Sequence, residues 1–168
     1  MKPLNFIGSS LDDLRNFPDE ARKAAGFELY SVQCGLEPND WKPMTGIGRG
    51  VAEKRINMML KLLAGDINKL EDSIMKKPIV KSSGNVFLDL GFSPEEAAIL
   101  QMRSEIMADL RKIIKSKKLT QVKAADVLGI SQSRVSDLIR GKWENFSLEM
   151  LIALATRAGV HISLKRAA

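Results

Sequence analysis

The chain has a single cysteine, Cys34, and a single histidine, His161, in 168 residues. One thiol cannot close an internal disulfide, and it cannot supply the paired cysteines of a structural zinc site. One imidazole likewise leaves no histidine-based metal cluster. Aromatic residues make up only 5% of the chain, while eight methionines and a hydrophobic fraction of 45% leave material for a core. That mix favours helices over a β-sandwich. No apolar run reaches the roughly 18 residues that a membrane span needs. The opening MKPLNFIGSS lacks the apolar centre of a secretory signal. The expectation is a cytoplasmic protein with no cofactor, no metal and no membrane partner.

What is present is a charge imbalance confined to one end. The net charge is +6. Residues 1–57 carry eight basic and eight acidic side chains, residues 58–92 five and four, and residues 93–168 thirteen and eight. The basic excess therefore sits in the C-terminal part, where it suits a polyanionic partner.

Leu4, Phe6 and Ile7 predict a short strand ending at Gly8. Ser10 is placed to cap a helix with Asp12 and Asp13 in its first turn. Leu11, Leu14, Phe17, Ala21, Ala24 and Ala25 keep helical spacing, with Pro18 and Gly26 as expected bends or breaks. Phe27, Leu29 and Val32 extend the apolar face to Gly35. The stretch GLEPNDWKPMTGIGRGV reads as loop. Its run from Gly46 to Gly50 has neither the third-glycine spacing nor the preceding strand of a dinucleotide fingerprint. Met58 to Met75 is expected to be helical on Leu63, Ile67, Leu70 and Ile74, and KKPIVKSSG to be a linker. The expected division is 1–57, a helical connector and linker over 58–83, and 84–168.

In the last part, Ser93 and Glu96 form a capping-box pattern, and Pro94 suits a first helical position. Ile99, Met102, Ile106, Leu110 and Ile113 predict one apolar face. Lys115, Lys117 and Lys118 gather at the carbonyl end of that helix. Then comes LTQVKAADVLGISQSRVSDLIRGK. Thr120 can cap a short helix containing Ala124, Ala125 and Leu128, and Gly129 allows the positive φ of a left-handed helix end. Ser131 can cap a second helix in which Val135 and Leu138 face inward. Gln132, Ser133, Arg134, Ser136, Asp137 and Arg140 are left outside or at the boundary, and Gly141 ends the helix. Small residues where two helices approach, with glycine at the turn, describe a helix-turn-helix. Its second helix would enter the major groove, where Gln, Ser, Arg and Asp can read base edges. After the helix begun at Ser147, Gly159 precedes VHISL. There Val160, Ile162 and Leu164 alternate in an expected strand that would find its partner in a second subunit, with His161 on the solvated face.

Through LTQVKAADVLGISQSRVSDLIRGK and FSLEMLIALATRAGVHISL, residues 84–168 resemble an Xre-type, lambda-repressor-like domain of the HigA antitoxin kind. The resemblance implies a five-helix DNA-binding domain that dimerises and represses its own operon. Carried onto this sequence, Gln132, Ser133 and Asp137 would read bases, with Arg134 and Ser136 at the groove edge. Thr120, Gln121, Arg140 and Lys142 would hold phosphates. Trp143 and Phe146 are expected to pack rather than to stack on bases.

The N-terminal part is similar to the first half of a HigB toxin, a phage Gp49-like member of the RelE superfamily of messenger-RNA interferases. The residues that carry this are Phe17-Pro18, Gln33-Cys34-Gly35 and the run from Asp40 to Met44. The similarity stops after about residue 56, before the strands that supply most of that family's RNA-acting residues. The implied protein is a toxin fragment joined to an antitoxin. It is mainly α, with a small α+β part in front and a C-terminal dimerisation strand. Its expected function is operator binding as a homodimer, without ribonuclease activity. The alternatives are an RNA-cleaving toxin module held inactive by its fused antitoxin, or a neutraliser of a separate HigB-like toxin.

Overall fold

The computed structural model describes residues 1–37, 41–43, 52–54 and 79–163. The glycine run 46–50, the expected helix 58–75 and Leu164 lie outside the described residues. The described elements begin with β1 (Asn5–Ile7), α1 (Ser10–Arg15) and α2 (Asp19–Gln33), followed by β2 (Trp41–Pro43), β3 (Ala52–Lys54) and β4 (Ile79–Lys81). Helices α3 (Val86–Asp89), α4 (Pro94–Ser116), α5 (Gln121–Leu128) and α6 (Gln132–Ile139) come next. A 3-10 turn (Trp143–Asn145) then leads into α7 (Leu148–Arg157). The chain divides into two compact units, Met1–Ala97 and Ala98–Ala168, so α4 gives its first turn to one and its remainder to the other.

In the first unit, β1 pairs antiparallel with β4, Phe6 standing opposite Val80. A second antiparallel pair joins β2 to β3. The strand expected at Leu4–Ile7 is therefore present, and its partner comes from the residues read as linker. Ser10 is the first helical residue of α1 rather than its cap, and its hydroxyl accepts from the Ile7 N–H at 3.0 Å. Pro18 immediately precedes α2, as a helix boundary requires.

Gly26 does not break α2. It sits inside the helix, buried, where a Cβ would lie 2.4 Å from Cε1 of Phe87. The missing side chain lets the Phe87 ring, 0% exposed, lie directly against the helix backbone. Phe27 meets Phe87 edge-on at 5.3 Å, and Phe92 lies 6.3 Å beyond. Arg22 covers Phe92 with its guanidinium 4.5 Å from the ring centre. Lys23 bridges Asp19 and Glu96, at 2.5 Å and 3.1 Å.

Asp89 holds the chain entering α3. Its carboxylate accepts from the Ser82 hydroxyl and, at 3.0 Å, from the Ser83 N–H, while Arg15 Nε donates to its carbonyl at 2.8 Å. Asn85 caps α3 by accepting from Phe87 N and Leu88 N. The first unit thus gathers residues 1–37 with segments from beyond position 57, including the start of the part read as helix-turn-helix.

In the second unit the buried side chains of α4 include Leu100, Met107, Ala108, Leu110 and Ile114. The expected stripe is rotated: of its members only Leu110 is buried, and Ile99 is 47% exposed. The stripe that is buried contains Ser104, whose hydroxyl donates to the Leu100 carbonyl at 2.9 Å. A hydroxyl satisfied within its own helix can be buried at small cost, and it hides that stripe from a purely apolar pattern. The later helices and the 3-10 turn's end add further buried side chains: Ala124, Leu128, Val135, Leu138, Phe146, Leu151, Leu154 and Ala155 are all at most 2% exposed.

Val160 to Ser163 carry no strand in the single chain. The strand expected at Val160 and Ile162, which would take its partner from a second subunit, is not formed within one chain. An extended segment satisfies its ladder only beside another strand, and among the described residues none lies there. No helix of the described residues is long and apolar enough to cross a membrane.

Candidate nucleic-acid interface

Two short helices and the turn between them are set by local chemistry. Thr120 accepts from the Lys123 N–H at 3.3 Å and starts α5. Gly129 ends it in the left-handed region at φ 62, and the Ile130 N–H returns to the Ala125 carbonyl at 3.1 Å. An L side chain is disfavoured in that conformation, which is why glycine stands there. Ser131 accepts from the Arg134 N–H at 3.3 Å and starts α6 one residue later.

Val135 and Leu138, both 0% exposed, anchor α6 to the unit's core. Its opposite side is polar and open. Gln132 and Ser133 are exposed, Ser136 and Asp137 are half-buried, and Arg140 at the helix end is exposed. The helix is thus fastened along one stripe and leaves a polar row on the other.

Residues 86–165 match the family model of a helix-turn-helix domain. No curated protein matches the chain. Among the described residues the matched span holds five α-helices, α3 to α7, with α5 and α6 as the helix-turn-helix pair. The match points to a DNA-binding regulator.

Several of the residues singled out as base readers and phosphate holders have partners within the unit. Gln132 and Gln121 are neighbours across the turn, Gln132 Nε2 donating to Gln121 Oε1 at 3.4 Å. Ser133 shares a hydrogen bond with the capping Ser131 at 2.9 Å. Asp137 and Lys142 form an ion pair at 3.0 Å, so a residue expected to read a base and one expected to hold a phosphate meet each other. Arg134 does not extend freely from α6. Its guanidinium donates to the Asn145 carbonyl and stands 5.6 Å from the Phe146 ring centre. Thr120 is engaged as a cap, while its exposure at the start of α5 leaves its hydroxyl at the surface.

Phe146 is a core residue, as expected, and Trp143 is half-buried with Arg103 5.3 Å from its ring centre. Three contributors escaped the sequence reading. Arg103 Nη2 donates to the carbonyls of Trp143 and Phe146, at 2.8 Å and 2.7 Å, and so clamps the 3-10 turn. Arg157 Nη1 donates to the carbonyls of Leu128 and Gly129, at 2.9 Å and 3.3 Å, closing the open end of α5 from α7. Asn145 Nδ2 donates to Asp137 Oδ2 at 3.1 Å. None of these partners stands within a helical turn of the other, so no spacing in the sequence signals them. Among the described residues no three His, Cys, Asp or Glu side chains converge as a metal site.

Proposed function

We propose that this protein is a sequence-specific transcriptional regulator of the antitoxin type, binding a palindromic operator as a homodimer. The observation that carries the reading is α6 itself: Val135 and Leu138 are fully buried, and the opposite side presents exposed Gln132 and Ser133 and half-buried Asp137. Those side chains can accept from and donate to base edges in the major groove. Arg134 and Ser136 stand at the groove edge, and Thr120, Gln121, Arg140 and Lys142 hold phosphates. Dimerisation uses Val160, Ile162 and Leu164. Exposed Ile152 and Ile162, 38% and 40% accessible, support an apolar contact at that end. The two α6 helices of a dimer would reach half-sites about one helical turn apart, or a multiple of it.

On this reading the N-terminal part, residues 1–57, is a remnant of a HigB-like toxin joined through the connector 58–83 to the antitoxin part 84–168. The fused protein acts in the cytoplasm without cleaving RNA, and an intact HigB-like toxin is a candidate partner. The resemblance in sequence supports this. The test is selection of preferred sites from random DNA duplexes with the full chain, alongside sedimentation. An inverted repeat bound by a dimer is expected, and Gln132→Ala should alter the preferred sequence. Enrichment of no sequence, or a preference untouched by Gln132→Ala, would refute the reading.

A further inference from the structure

We propose that Asn145, in the turn after α6, is a positioning residue that fixes the carboxylate of Asp137 and so sets which base pair Asp137 prefers. This rests on the DNA-binding reading above and adds to it a residue outside the helix-turn-helix pair.

The turn that carries Asn145 is held rigidly. Arg103 binds the carbonyls on either side of it, those of Trp143 and Phe146. Arg134 donates to the carbonyl of Asn145 itself. The Phe146 side chain, 0% exposed, roots the turn in the core. From this platform the exposed Asn145 side chain reaches back eight residues to Asp137, donating to Oδ2 at 3.1 Å. Lys142 donates to the other oxygen, Oδ1, at 3.0 Å. The two carboxylate oxygens therefore have different donors, one neutral and one cationic, and together these define the carboxylate plane.

A carboxylate on a groove-facing helix has two disadvantages without such partners. It rotates freely, and the phosphates repel it. Lys142 offsets the charge. A single ion pair still leaves the carboxylate free to turn about that contact, and the amide of Asn145 removes this freedom. Each carboxylate oxygen has two lone pairs and uses one here, so the site keeps acceptor capacity for the exocyclic amine of cytosine or adenine. An acceptor held in one orientation distinguishes that amine from the carbonyl of guanine or thymine more sharply than a rotating one.

The experiment is site selection followed by affinity measurement on single-base-pair variants, using the full chain. Its proteins are the wild type, Asn145→Ala, Asn145→Asp, Asp137→Ala and the double variant Asp137→Ala/Asn145→Ala. Asn145→Ala should reduce discrimination by about fivefold or more at the base pair that Asp137→Ala also degrades, a fraction of a full base contact. Asn145→Asp should reduce it further, because it replaces the donor by a like charge beside Asp137. In the double variant the loss should equal that of Asp137→Ala alone, since Asn145 acts through Asp137. Thermal midpoints should match the wild type, the side chain being exposed. Unchanged discrimination in Asn145→Ala overturns the proposal, as does uniform weakening on every duplex, which would mark a direct phosphate contact. Additive losses in the double variant also overturn it. If the wild type enriches no sequence, the DNA-binding reading fails and this inference with it, an outcome distinct from enrichment that Asn145→Ala leaves intact.

Discussion

Replacing Gly26 by alanine sets two effects of known sign against each other. In a helix interior, alanine is favoured over glycine by about 0.5–1 kcal/mol. The added methyl, if it could be buried without strain, would contribute about 0.8 kcal/mol more. Against this stands the Phe87 ring, with Cε1 at 2.4 Å, Cδ1 at 2.7 Å and Cζ at 3.2 Å from the new Cβ. The ring has little freedom to retreat, being 0% exposed with Phe27 and Phe92 on its other sides. Forcing a methyl into such a site costs about 1–3 kcal/mol or more. A clash with three ring atoms belongs at the upper end of that range, so we expect a net loss of about 1–2 kcal/mol. Urea denaturation followed by circular dichroism would measure it. Hydrogen exchange at the α2 amides would place the loss in the first unit. Combining Gly26→Ala with Phe87→Leu should recover about 1 kcal/mol relative to additivity, because the smaller side chain vacates the contested space. A Gly26→Ala protein as stable as the wild type, or more stable, would refute the reasoning.

In the second unit, Leu138→Ala removes a fully buried anchor of α6 and should cost about 2–5 kcal/mol, with DNA binding lost as α6 detaches; a urea titration checks the first and a gel shift the second. Lys142→Ala should weaken binding to all duplexes and make the log-log salt dependence shallower by about one counterion, read by fluorescence anisotropy across a salt series. The Asp19 carboxyl is held below its ordinary 3.8 by hydrogen bonds from Lys23 and Arg22. A depressed carboxyl favours the folded state above 3.8, and that contribution fades as pH falls through the lowered value. Asp19→Asn should therefore flatten the acid end of the thermal-midpoint profile, and superimposable profiles would show that the ion pairs carry no linkage. Residues 1–74 expressed alone should leave messenger RNA intact with or without ribosomes, whereas growth arrest abolished by Arg55→Ala would restore the ribonuclease alternative.

The helix starts and stops of the second unit were legible in the sequence because they depend on neighbours within one turn. Thr120, Ser131 and Ser147 each accept from the N–H three residues on, and Gly129 takes the left-handed conformation that ends α5. Val135 and Leu138 face the core because both lie on the stripe that a short helix between two caps must bury. From those local rules the helix-turn-helix and its polar outer face followed. Tertiary structure decided what local rules leave open. In α4 the two overlapping stripes, one through Ile99 and Ile106 and one through Leu100 and Met107, both satisfy helical spacing, and only the packing of the later helices selects the second. Gly26 reads as a break until Phe87, distant in sequence, occupies the space its side chain would need. β1 finds its partner in β4, within the stretch that composition marks as linker. Arg157 closing α5, and Asn145 aligning Asp137, belong to the same class. Capping and backbone conformation are local free energies, written into consecutive residues. Burial and long-range hydrogen bonding depend on which surfaces other elements bring to the same place, and no stretch of sequence carries that by itself.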